Sequence, residues 1–153
     1  MDNLKYHFVT KWHFDAPPDR VWSLIRDGET MPQWWPGVKR FEIIGHDKSL
    51  KIGQRINAAV QGLVGELAFT LEITEIENGK RLKMKVTGDL EGEGIWTLEE
   101  EGDGCRTIYQ WDVSTSGWLM NALGIVFKPV LMWNHNRVMV KGYEAIKTKL
   151  ILN

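Results

Sequence analysis

Cysteine is almost missing from this 153-residue chain, which carries only Cys105. A single thiol excludes an intrachain disulfide and any multi-cysteine metal cluster, and it fits a reducing compartment. Net charge is also lacking. Nineteen basic residues against twenty acidic ones leave -1, so there is no field for wrapping nucleic acid, which needs Lys and Arg clustered on one face. No uninterrupted apolar run approaches the about 20 residues of a spanning helix. The longest apolar region, 117–133, is broken by Asn121, Lys128 and Pro129. Residues 1–8 mix Asp, Asn, Lys and His without an apolar stretch of the secretory kind, and the expected location is cytoplasmic. No glycine-rich loop follows a strand and opens a helix, so nucleotide binding has no support. His7, His13 and His46 fall outside any ligand-spaced cluster, and neither a metal nor another cofactor is expected. What the chain does have is tryptophan, eight of them, more than a domain of this size ordinarily needs to fill its core.

Alternation is the dominant pattern, and it marks half-buried strands. Tyr6, Phe8, Trp12 and Phe14 share one parity while His7, Lys11 and His13 share the other. The Asp15–Asp19 segment breaks that strand, with Asp15 or a neighbour available to cap a short amphipathic helix over 20–27. A second helical turn over 31–37 is closed by Pro36 and Gly37. From Val38 onward the period returns to two. Phe41 and Ile43 alternate with Arg40 and Glu42, and further runs centre on Ala58, Leu71, Met84, Trp96 and Trp111. Glycine-bearing turns such as Asn78-Gly79 and Gly102-Asp103-Gly104 separate them at hairpin spacing. About seven antiparallel strands follow, each with one wet and one apolar face. The chain then changes period. Leu131, His135, Val138, Gly142, Ile146 and Leu150 fall on one stripe, which predicts a helix over 129–151, about 35 Å long at 1.5 Å per residue.

Seven strands spaced by about 4.8 Å make a sheet roughly 30 Å wide, whereas one helix is only about 10–12 Å across. A single helix cannot cover that apolar face if the sheet stays flat. The sheet must curl around the helix, and a curled concave face tends to leave an internal space.

This element order resembles the helix-grip fold, an α+β architecture in which a curved antiparallel sheet wraps a long C-terminal helix, with two short helices after the first strand. The resemblance is to the superfamily of START domains, the birch-pollen allergen Bet v 1 and polyketide cyclase-like proteins (SRPBCC). Two segments carry it: Met31-Pro32-Gln33-Trp34-Trp35-Pro36-Gly37-Val38, similar to a P-x-W-W-P-G-V segment of the cyclase-like branch, and the strand-then-helix ending. The ending runs through Tyr109-Gln110-Trp111-Asp112-Val113, Trp118-Leu119-Met120-Asn121, Pro129 and Trp133-Asn134-His135-Asn136-Arg137-Val138-Met139 with Gly142. The likeness covers nearly the whole chain as one domain, 1–153. It implies a cavity, but the superfamily hosts many functions.

The expected walls are Phe69, Leu71, Met84, Trp96, Tyr109, Trp111 and Leu131, joined by Ile56, Ala58 and Val138. Trp34 and Trp35 either wall the entrance or plug one end of the sheet. Met120 and Phe127 belong to the apolar segment 117–127, which reads as a lid, a patch touching a membrane surface, or a buried first turn. His135 is the main titratable candidate. It reads as a proton-transferring group or as a packed histidine bonded to backbone or to Asn134, and no carboxylate is placed by sequence to orient it. Asp112 has the parity of the wet face. Cys105 falls in a hairpin turn. The expected function is binding of a small hydrophobic ligand (a lipid, quinone, polyketide or isoprenoid) oriented by His135, Asn134 and Tyr109. The alternatives are a cyclase or dehydratase using His135, and a partner-binding module acting through 117–127.

Overall fold

A computed structural model describes residues 5–62, 65–115 and 117–152, with the side chains of 118–127 and of 152 outside that description. Seven strands form one antiparallel sheet: β1 (Lys5–Phe14), β2 (Val38–Ile43), β3 (Arg55–Gln61), β4 (Glu66–Glu77), β5 (Arg81–Gly88), β6 (Leu90–Glu101) and β7 (Gly104–Thr115). Their order is β1-β7-β6-β5-β4-β3-β2, so the chain runs as a meander from β2 to β7 and returns its first strand beside its last. The helices are α1 (Pro18–Arg26), α2 (Met31–Trp34) after a single 3₁₀ turn (Gly28–Thr30), and α3 (Trp118–Leu152).

The register sorts side chains as the alternation predicts. One row across the outer face reads Arg55, Glu72, Lys85, Glu93, Asp112, His7. Opposite charges directly across a pair of strands support one another, while like charges there do not. Asp112 ends this row in an ion pair with His7 on the outer surface, away from α3. Because both partners are accessible to water, Asp112→Ala is expected to change stability by less than about 1 kcal/mol, measured by urea denaturation. The corresponding inward rows are apolar. Ile73, Met84, Gly94, Trp111 and Phe8 form one, and Ile76, Leu82, Trp96, Tyr109 and Thr10 another.

Three local expectations are corrected. No side chain caps α1: Pro17 occupies the cap with Pro18 at the first helical position, and Asp15 instead accepts a hydrogen bond from His13. The fixed φ of proline already suits the helix start, so a polar cap is dispensable. Cys105 lies in β7 rather than in the turn, fully buried opposite Phe14, because the turn is completed by Gly102 and Asp103. Burial pushes its thiol pKa up, which keeps it protonated and unreactive. The last helix is longer than the predicted 129–151. It runs 35 residues from Trp118 and passes through Pro129. An interior proline removes one backbone bond and kinks or strains a helix, but the apolar residues on both sides continue the helical path.

The far half of α3 is clamped to the sheet edge and to α1. Tyr143 donates its hydroxyl to the His13 carbonyl at 3.0 Å, and Arg20 donates to the Leu150 carbonyl at 2.5 Å. Between α3 and the sheet at this end sits an aromatic plug. Trp12 lies 5.8–6.2 Å, centroid to centroid, from Tyr143, Trp96 and Trp35. Five tryptophans are buried in the core, at 12, 22, 35, 96 and 111, which accounts for most of the unusual tryptophan content.

Candidate ligand cavity

With one end plugged, the other half of the grip stays open inside. A cavity of about 530 Å³ lies between the concave face and the stretch of α3 from Val130 to Met139, within the about 300–1,000 Å³ of ordinary small-molecule pockets. The rows described above build its floor. Met84 and Trp111 come from one, Leu82, Trp96 and Tyr109 from the next, and Ala58 with Phe69 and Phe41 from a third at the β2 side. Its roof is α3, through Leu131, Asn134, His135 and Val138. Among the described residues no carboxylate borders it.

Twelve of the expected residues therefore meet around one space: Trp35, Ala58, Phe69, Leu71, Met84, Trp96, Tyr109, Trp111, Leu131, Asn134, His135 and Val138. Two do not. Ile56 is buried between Ile43 and Leu71 on its own row and stops short of the cavity. Trp34 turns outward, its indole N–H donating to the Thr30 hydroxyl at 3.0 Å. Trp34 ends α2 while Trp35 is already extended, so consecutive residues there leave the chain in different directions. Trp35 is the plug rather than a gate. Its indole N–H donates to the Val138 carbonyl at 2.9 Å. Met120 and Phe127, with the proposed lid or membrane patch over 117–127, lie outside the described side chains.

His135 packs face to face on Phe8, with ring centroids 3.8 Å apart. Burial lowers its pKa to about 4, opposed by an Asn136 side-chain hydrogen bond, so the ring is neutral at pH 7. Its Nδ1 is enclosed without a partner, as is the Tyr6 hydroxyl oxygen. Asn134 donates to the Gln61 carbonyl at 3.0 Å and ties the helix to the end of β3. Part of its polar capacity is thereby used to position α3. Tyr109 is stacked between Trp96 at 4.2 Å and Trp111 at 5.8 Å, and burial holds its phenol far above its ordinary pKa.

Sequence reasoning missed Tyr6, Phe8, Phe41 and Thr115 as cavity residues. The parity of β1 already marked Tyr6 and Phe8 as inward. What could not be read was that β1 pairs with β7, which sets both beside Trp111 and Val113.

A curled antiparallel sheet gripping a long helix around an apolar cavity defines the helix-grip class, the Bet v 1-like or SRPBCC superfamily. The sequence profile of the family described as Polyketide cyclase / dehydrase and lipid transport matches residues 5–150, and the chain belongs to that family. Among solved structures it is similar to TTHA0849 from Thermus thermophilus, at TM-score 0.77 and 20% identity over 95% of this chain and 99% of that one. It is also similar to the Zhui aromatase/cyclase from Streptomyces sp. R1128, at TM-score 0.73 and 13% identity over 95% and 93%. A third likeness is to Ara h 8.0201, at TM-score 0.69 and 13% identity over 98% and 100%. At these identities the likeness is one of fold. Among curated proteins no sequence matches.

Proposed function

We propose that this domain binds a small hydrophobic molecule inside the grip and does not transform it. The observation that carries this reading is the cavity itself, about 530 Å³ walled by aromatic and aliphatic side chains. Apolar area removed from water contributes about 25 cal/mol per Å² before ordering costs, enough for useful affinity from shape and area alone. Binding rather than turnover is favoured by the surroundings of His135. Proton transfer needs a group whose pKa lies near the working pH, within reach of a second acid, base or orienting partner. His135 is held near 4, and Asp112, the nearest carboxylate by sequence logic, pairs with His7 on the opposite face of the sheet.

Pyrene, an uncharged apolar fluorophore excited by energy transfer from tryptophan, provides the test. The wild type should take it up saturably, one molecule per chain. Ala58 sits on the floor between Phe41 and Phe69, so Ala58→Trp puts an indole into the open volume. The variant should fold and bind pyrene at least about tenfold more weakly, because the apolar contact area is lost. Equal uptake by both proteins, or none by the wild type, would count against a binding cavity.

A further inference from the structure

The binding reading leaves open what kind of molecule the cavity selects, and on that reading its polar groups narrow the choice. Most are already engaged or enclosed. Asn134 is bonded to the β3 end. His135 Nδ1 and the Tyr6 hydroxyl have no partner, but both are sealed behind other atoms. Arg40, the one charged residue bordering the space among those described, stands in the outward row beside Ala59 and pairs with Glu66 at 3.6 Å.

Tyr109 differs. It belongs to the inward row with Leu82 and Trp96, and it is only part-buried although it lies deep in the fold, so its remaining accessible surface opens on the cavity. Its hydroxyl makes no hydrogen bond to any described residue. The neighbouring strand is cut away beside it. Gly94 on β6 faces Trp111, and a Cβ there would lie 2.9 Å from the Trp111 ring and 3.5 Å from the Tyr109 hydroxyl. Glycine inside a strand weakens it and often marks a place where something approaches closely. Here the missing side chain leaves the indole and the phenol room to stand as they do.

We propose that the Tyr109 hydroxyl, for which Gly94 behind it leaves room, forms a polar recess in the cavity floor that takes an oxygen acceptor, a carbonyl or ether-type oxygen, of an uncharged ligand. A buried phenol that does not ionise is a donor first, and an open donor in an apolar pocket costs free energy until an acceptor meets it. The rings at 96, 109 and 111 stack in sequence, 4.2 and 5.8 Å between centroids, along the cavity wall. A carboxylate or phosphate would enter without a basic partner, and an unpaired buried charge is strongly disfavoured.

Three probes of one shape separate these terms: pyrene, 1-acetylpyrene and 1-pyrenecarboxylate, each titrated at pH 7 by energy transfer from tryptophan. The wild type should bind the ketone roughly 2- to 10-fold more tightly than pyrene, the size expected of one hydrogen bond. The carboxylate should bind at least about tenfold more weakly than the ketone. Tyr109→Phe should erase the preference for the ketone over pyrene. Its thermal midpoint should stay level or rise, because the lost hydroxyl had no partner in the protein. A ketone no tighter than pyrene, a preference that survives Tyr109→Phe, a carboxylate equal to the ketone, or a lowered midpoint in the variant would each overturn the recess. No uptake of any probe by the wild type would instead remove the binding reading on which the recess rests.

Discussion

Placing one methyl group at position 142 is expected to destabilise the domain by about 1–3 kcal/mol, the usual cost of overpacking a filled core. Gly142 sits in the middle of α3 directly over Trp35. An added Cβ would lie 2.3 Å from Cε2 and 2.4 Å from Cζ2 of that indole. The ring has nowhere to retreat. Its N–H is held by the Val138 carbonyl, and Trp12 and Trp96 stand 6.2 and 6.5 Å away, centroid to centroid, on its other sides. Helix propensity pulls the opposite way, since alanine inside a helix is favoured over glycine by about 1 kcal/mol. The sign of the change therefore decides which effect wins. Urea denaturation of Gly142→Ala should show a lower midpoint with an unchanged slope. A variant more stable than the wild type would mean that Trp35 does not wedge between helix and sheet as described. Because the plug closes the end of the cavity, the same variant should also bind an apolar probe more weakly.

The second large effect is on pH. His135 is neutral in the fold, its pKa lowered from 6.5 to about 4 by burial. As pH falls below about 6.5, the unfolded chain takes up a proton that the folded one refuses, so the equilibrium moves toward unfolding. The stabilisation is fully present above pH 6.5 and is lost as pH falls towards 4. Its size is on the order of 3 kcal/mol, at about 1.36 kcal/mol per pKa unit. His13 works in the opposite sense. Glu101, hydrogen-bonded at 2.7 Å, and then Asp15 raise its pKa, so its contribution is present at low pH and fades as pH rises. Being exposed to water, it is the weaker of the two. Comparing wild type with His135→Leu from pH 7.5 to 4.5 isolates the buried ring. The wild type should lose stability on acidification, and the leucine variant should lose markedly less. Parallel pH profiles would show that His135 is not buried neutral against Phe8.

How much of this was legible in advance depended on whether the information was local. Parity alone placed Lys85 and Asp112 outside and Met84 and Trp111 inside, because in a strand with one apolar face the side chain can only alternate. The helical stripe from Leu131 to Leu150 likewise marked the face of α3 that meets the sheet. Width against width, about 30 Å of sheet to one helix, required curling and made a cavity the natural outcome. Local signals failed where the chain had a cheaper option. Pro129 read as a helix start, yet the backbone runs through it. Trp34 and Trp35 read as a pair, yet the end of α2 turns one outward and buries the other.

By itself, then, the sequence determined the order and type of the elements and the wet and apolar faces, which follow from periodicity and turn chemistry along the chain, while the family was legible only through the resemblance carried by residues 31–38 and the strand-then-helix ending. Only the tertiary structure decided that β1 closes against β7, which sets Tyr6 and Phe8 at the cavity wall and gives His135 a ring to stack on. It also decided that His135 Nδ1 is enclosed without a partner instead of facing an acid or base. Hydrogen bonding and exposure depend on which atoms arrive from distant segments, and no window of sequence contains both partners. The empty volume belongs to the same class, being the space that one helix and an aromatic plug leave unfilled.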